Sequence, residues 1–279
     1  MRPRSGPTLE HRVLAERLRA LRERADVSLR SAAAALGAHP VTVRRIERAE
    51  TGLDAGQVHL LLRHYGVGAT ETDRILARLA NANRPGWWHP WREVMEPWQQ
   101  DVIGMESSAG LVRTWHPALV PELLRTEEYA AAVLAELEPG TTADERRQRV
   151  ELLAERQRRL AERGATLWAL LPEAALHTRV GGPEVTAGQR AALHAAARRP
   201  GITLQIVPLT QPPHPLTGLP PLHLLRVPAP EIGDWAILET PGVRVEVFDE
   251  PHIVSTYQMR LDEACALAPP PGVLPTVTT

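Results

Sequence analysis

Lysine is absent from this chain: all 32 basic residues are arginine. A GC-rich coding sequence accounts for that bias, which carries no mechanistic content. Cysteine is nearly absent as well. The one thiol, Cys265, cannot close an internal disulfide, which excludes a disulfide-stapled scaffold and suits a reducing cytoplasm. No apolar run approaches the ~18 residues that a bilayer span requires, and the basic N-terminus is not followed by the apolar segment of a secretory leader. A cytoplasmic protein without a membrane partner is expected. The short signatures of catalysis are also missing. There is no GxxxxGK[S/T] phosphate loop, GxGxxG, HExxH, GxSxG or paired-cysteine metal motif. The eleven histidines share no ligand spacing. Neither metal, cofactor nor catalytic residue is expected; Glu106 and His116 can be assembled into an acid–base pair, but no spacing requires it.

What is present is ordinary in bulk and uneven in distribution. The 279 residues, 43% hydrophobic and 23% charged, suit a globular chain of two domains. The net charge of −1 conceals a division. Residues 1–85 hold 15 arginines against 9 acidic residues, and residues 86–279 hold 17 against 24. A basic module joined to an acidic remainder is the electrostatic footprint of a nucleic-acid-binding part on a different kind of domain.

The basic part reads as helices. Over 8–24, Leu9, Val13, Leu14, Leu18 and Leu21 recur at helical spacing behind a Thr8 cap. Ser28 caps a second, alanine-rich helix ending at Leu36. Gly37 suits the left-handed residue that closes it. A third helix begins at or just after His39 with Pro40 in its first turn. Its Val43 and Ile46 face inward, leaving Val41, Thr42, Arg44, Arg45 and Arg48 outside. Two further helices, 54–64 and 71–83, close the bundle with Leu60, Leu61, Ile75, Leu76 and Leu79 as core. A short cationic helix after a tight turn is the part that enters the major groove in helix-turn-helix proteins. The candidate DNA-binding residues are therefore His39, Pro40, Val41, Thr42, Arg44, Arg45 and Arg48. Val41 and Thr42 are placed for thymine methyls, Arg45 for a guanine edge, and Arg44 and Arg48 for phosphates.

The pattern LRxxR, then S-x(3)-AA-x(2)-LG, then a helix ending in IER, resembles the XRE family of Cro and lambda-repressor-like domains. The resemblance implies a five-helix fold that binds two operator half-sites as a homodimer. Two positions depart from it: Leu29 stands where a phosphate-clamping Gln is frequent, and Ala49 where Gly often follows the Glu-Arg pair.

Residues 84–98 hold four of the seven tryptophans, Trp87, Trp88, Trp91 and Trp98. That much indole must bury, either by docking one module on the other or as the wall of a ligand pocket. Beyond this linker (86–100), residues 101–268 read as one α+β domain. Strands are expected at 102–106, 111–116, 166–171, 202–209, 222–227, 235–239 and 243–248. Helices are expected at 126–137, 143–163 (with Val150, Leu152, Leu153 and Leu160 inward), 186–199 and 251–267. The tail 269–279 reads as disordered.

The collinear segments WW (87–88), ME-S-S-A (105–109), VPELLRTEEYA (120–130), AERQRRL (154–160), LPEAAL (171–176), VGGPEV (180–185) and ITLQIVPL (202–209) resemble a group of actinobacterial regulators. In those proteins an XRE domain precedes a C-terminal domain of unknown function, and they are often described as antitoxin-like or developmental regulators. Here Glu122 and Arg125 stand where that family commonly has Gly and Gln. Its recurrent polar residues mark a candidate pocket for a ligand or small partner protein: Glu106, Thr126, Tyr129, Arg156 and Gln157, with Trp87 and Trp88. Glu106 is the acid expected opposite Arg156 if that arginine turns inward. The chain thus reads as an all-α five-helix HTH bundle followed by an α+β domain. That describes a double-stranded-DNA-binding transcriptional regulator whose second domain dimerises and senses a small-molecule effector or partner protein. The alternative is an enzyme or ligand-binding protein carrying a vestigial HTH.

Overall fold

Thr8 turns the chain into its first helix by accepting the His11 N–H on its hydroxyl. The computed structural model describes residues 7–229, 232–240, 244–273 and 275. The chain divides into two compact units, one running to Ser108, the other from Ala109 to Pro228 and from Gly233 onward.

The first unit opens with five helices: α1 (Leu9–Arg24), α2 (Leu29–Ala35), α3 (Pro40–Glu47), α4 (Ala55–His64) and α5 (Ala69–Ala82). Short polar caps start three of them besides α1: Ser28, His39 and Asp54 each accept a backbone N–H within the first turn. Their apolar stripes converge on one core of Leu14, Leu18, Leu21, Val43, Ile46, Val58, Leu61, Leu62, Ile75 and Leu79. The expected core shifts slightly. Leu60 is 38% exposed, because Val58, Leu61 and Leu62 define the inward face of α4 and a residue two positions on from Val58 points away from it. Leu9 is only partly buried. Gly37 has φ +61 with open space beyond its missing side chain, so it serves the turn by backbone freedom alone. Ala49 adopts φ +56, the left-handed region that glycine enters without cost.

The linker is structured. A 3₁₀ helix (His89–Val94) leads into α6 (Pro97–Glu106). The expected strand at 102–106 is therefore helix. Pro97 occupies the first turn and Gln99 reaches back to the Glu96 N–H at 2.8 Å. Residues 102–106 are buried on every side, so they carry no helical period to read. Trp88 is 2% exposed and lies against Gly86 and Gly104. A Cβ on Gly86 would meet its indole at 2.3 Å, and one on Gly104 at 3.2 Å.

The second unit is a six-stranded mixed sheet ordered β3-β2-β1-β4-β5-β6, which matches the α+β expectation. β1 (Leu111–Trp115), β2 (Thr166–Pro172) and β3 (Ile202–Val207) run parallel. Their crossovers carry α7 (Glu127–Leu137), α8 (Ala143–Glu162), α9 (Glu173–His177) and α10 (Gly182–Ala196), as parallel pairing demands. β4 (Leu222–Arg226), β5 (Trp235–Thr240) and β6 (Arg244–Phe248) add on antiparallel. α11 (Pro251–Leu267) packs Val254, Leu261, Ala264 and Cys265 against one sheet face through Trp115, Leu222, Leu224, Ala236 and Leu238. In α8, Leu152, Leu153 and Leu160 are buried and Val150 partly so.

Past α11 the chain is pinned as far as Gly272. The buried Gln205 amide donates to the carbonyls of Cys265 and Pro269, and Gly272 N–H donates to Leu204 O at 2.9 Å. Within the tail expected to be disordered, residues 274 and 276–279 lie outside the described residues. Among the described residues no helix is long and apolar enough to cross a membrane.

Gly37→Ala places a Cβ in open space but on a left-handed backbone. It is expected to destabilise the first unit by about 1–2 kcal/mol, read as a lower urea midpoint with unchanged m-value.

Candidate nucleic-acid interface

The third helix presents one side to the core and the other to solvent. Val43 and Ile46 are fully buried, whereas Val41 is 49% exposed. His39, Arg44, Arg45 and Arg48 are exposed and Pro40 and Thr42 half-exposed. His39 caps the helix, its Nδ1 accepting from the Val41 N–H at 3.3 Å, and Arg48 is the residue that ends it. Arg45 has one acidic neighbour, Glu50, at 3.9 Å across an exposed surface. Such a pair is worth under about 1 kcal/mol and does not tie the guanidinium down. Arg44 and Arg48 have no ion-pair partner among the described residues. Arg30 in α2 is likewise exposed, and Leu29 beside it packs against the bundle core. That apolar contact takes the place of a phosphate-clamping side chain there.

What holds α3 is a contact that no spacing in the sequence disclosed. Glu47, the acid of the IER triplet, is turned inward with a side chain 4% exposed. Arg22 of α1 meets it with two bonds, Nε to Oε1 at 2.7 Å and Nη2 to Oε2 at 2.9 Å. A third bond runs from Arg22 Nη1 to the Val27 carbonyl at 3.1 Å. The hydrogen bond from Glu47 outweighs the burial that opposes charge and raises the Arg22 pKa above its ordinary value. Beneath the pair, burial and the Glu47 charge push the Tyr65 hydroxyl well above the usual phenol range. A two-point fork fixes orientation as well as distance, so the end of α3 is set rigidly against α1. The signal available in the sequence was an Arg and an Glu on different helices, both within resemblance motifs. Nothing short of the fold pairs them.

The other candidate residues separate into two groups. Trp87, Trp88 and Glu106 belong to the first unit, and Thr126, Tyr129, Arg156 and Gln157 to the second. Trp87 stacks edge-on against Trp88 and Trp91 and donates Nε1–H to Ser107 Oγ at 2.9 Å. Trp98 stands apart at 38% exposure.

In the second unit, Arg156 donates to Glu122 Oε2 at 2.6 Å. Within its own unit the acid facing it is Glu122. Arg125 approaches the other Glu122 oxygen at 3.9 Å and donates Nε–H to the Val120 carbonyl at 2.8 Å. Gln157 donates to the carbonyls of Glu122 and Arg125. Thr126 caps α7 by accepting from the Tyr129 N–H, and Gln189 holds the same loop through Thr126 N–H and Leu124 O. Arg156, Gln157 and Gln189 fasten the loop 120–126 onto α8 and α10. Burial alone would raise the Glu122 carboxyl, but Arg156 and Arg125 outweigh it and hold it well below the usual carboxylate range. His116 lies beside this cluster with Nδ1 accepting from the Leu119 N–H at 3.1 Å. Burial first, then the Arg125 and His223 charges, push it down to about 4.

A family profile described as "Helix-turn-helix domain" matches residues 13–75. A second, described as "Domain of unknown function (DUF5753)", matches residues 99–272. No curated protein and no solved structure matches the chain significantly.

Removing one partner of the buried pair strands a charge. Glu47→Ala or Arg22→Ala is expected to cost about 3–5 kcal/mol in chemical denaturation of the first unit. The volume-matched double change Arg22→Met with Glu47→Leu should recover most of that loss. His116 is neutral in the folded protein, so its contribution is complete above its unfolded pKa of 6.5 and is lost as pH falls from there toward about 4. Urea midpoints at pH 7 and pH 4.5 should show the fall. His116→Asn, which keeps an acceptor for Leu119 without the titration, should make it shallower.

Proposed function

The chain belongs to the DUF5753 family, over well more than half its length and behind a helix-turn-helix domain, and from that premise we propose that it is a sequence-specific DNA-binding transcriptional regulator. The single observation that carries this reading is α3, cationic and open on its outer side while Glu47 at its end is clamped inward. A recognition helix must be both exposed and rigid, because base-edge hydrogen bonds tolerate little angular error.

In this reading His39, Pro40, Val41 and Thr42 bring the first turn to the groove floor. Arg45 forks onto a guanine edge; Arg44 and Arg48 take phosphates. The module is of XRE type and acts as a dimer on two half-sites. The second unit dimerises and receives the signal, from a small molecule or a small partner protein, as in the antitoxin-like actinobacterial regulators that the sequence resembles. The protein works in the cytoplasm. A signal changes DNA affinity only through different affinities for the bound and free states.

Binding to DNA from upstream of its own gene should weaken with salt at a log–log slope of about −5 to −7, for six to eight phosphate contacts by a dimer. A flat response would favour a protein whose helix-turn-helix domain serves another purpose. Arg45→Ala should cost about 1–3 kcal/mol and relax preference at one base pair. Arg44→Ala should weaken all sequences alike.

A further inference from the structure

On the sheet face that carries α11 lies a cavity of about 220 Å³, lined by Leu111, Arg113, Trp168, Leu224, Leu225, Arg226, Asp234 and Gln258. Strand register builds it. Arg113 of β1 sits level with Trp168 of β2 and with Leu224 of β4, and Leu111 with Arg226, so these side chains share one face of the pleat. The cavity is smaller than the ~300 Å³ at which drug-sized sites begin, which is room for a molecule the size of an amino acid.

Its polar groups are fixed and incompletely used. The Arg113 side chain is only 11% exposed. Its guanidinium lies 4.7 Å from the Trp168 ring centre, and Nη1 donates to Asp262 Oδ1 at 2.6 Å. Its Nε–H is buried with no acceptor, a costly state for a charged donor. The Trp168 ring is itself locked, its N–H donating to Gln205 Oε1 at 2.9 Å. Across the cavity, Asp234 Oδ2 accepts from both Arg226 Nε (3.0 Å) and Gln258 Nε2 (2.8 Å). Its Oδ1 and the Gln258 Oε1 have no partner among the described residues. One pole is therefore a guanidinium at the cavity wall, its Nε–H lacking an acceptor though closed to solvent and its Nη2 near Cys265 Sγ at 3.8 Å, and the other holds unused acceptors on a carboxylate and an amide. Arg113 is already paired with Asp262 outside the cavity and Arg226 with Asp234 at its wall, so each cation is offset and the site favours an occupant without net charge. Leu111, Leu224 and an indole supply an apolar body.

We infer that this cavity is the effector site of the second unit and takes a zwitterionic, apolar molecule of amino-acid size, its carboxylate on Arg113 and its ammonium on Asp234. The effector role rests on the regulator reading above; the binding site does not.

Calorimetric titration of the full chain with the twenty free L-amino acids tests it. One or more apolar members should bind saturably. N-acetylation of that ligand, which removes the ammonium, and amidation, which removes the carboxylate, should each weaken binding at least tenfold. Asp234→Asn should weaken the parent ligand at least tenfold while leaving the N-acetyl form unchanged; Arg113→Met should likewise weaken the parent ligand while leaving the amide unchanged. Because Arg113 also pairs with Asp262, thermal unfolding checks its fold, and Asp234→Asn carries the test if that variant is unstable. No saturable binding up to 10 mM (on the order of −2.7 kcal/mol), or binding indifferent to Asp234→Asn, overturns the site. Binding that respects both poles while DNA binding is absent or salt-independent upholds the site and sinks the regulator reading alone. Saturating ligand that leaves DNA affinity unchanged overturns the effector role.

Discussion

The two-point bond between Arg22 and Glu47 is the constraint on which the first unit is organised. It is almost wholly shielded from water, it joins the first helix to the end of the third, and it takes the Val27 carbonyl into the same grip. A helix of eight residues is too short to be stable by itself. Its pose comes from Val43 and Ile46 in the core, which fix depth, and from the fork, which fixes rotation. Apolar packing alone would let such a rod roll by a fraction of a turn. The outward arginines owe their common direction to the inward glutamate.

A comparable economy governs the second unit. Glu122 and Arg125 add opposite charges to the loop 120–126, and the fold sets them near one another and against Arg156. Desolvation that would penalise either alone is offset by the other two. The backbone carbonyls of the loop are taken by Gln157 and Gln189, so the segment between β1 and α7 is held by polar bonds as well as by its buried Val120 and Leu124. The mixed sheet has a similar logic at Gln205. A buried amide with both ends satisfied ties β2, β3 and the close of α11 together.

Most of the helices were legible because their physics is local. Thr8, Ser28 and Asp54 act through a hydrogen bond three residues away, and the stripes of α1 and α3 repeat within a turn or two. Residues 102–106 read as strand in the sequence and fold as helix because burial on all sides erases periodicity, although Pro97 and Gln99 carry a start signal just ahead of them. Leu60 reads as core in the sequence because two adjacent leucines offer two nearly equivalent phases, and the fold selects Leu61. The candidate pocket was assembled from residues that the resemblance makes prominent. Those in the second unit hold the loop 120–126; a cavity at Arg113 and Trp168 on the strands has no marker in the sequence.

The five helices of the first part, its basic character and the polar side of the third helix are all written in the residues, since each depends on spacing of a few positions or on composition. Only tertiary structure decided that Arg22 faces Glu47, that Arg156 faces Glu122, and that Arg113, Trp168 and Asp234 surround one space. Pairings between residues 25, 34 and more than 50 positions apart are set by how helices pack and strands register. A charge written in the sequence carries no mark of the partner that the fold will bring to it.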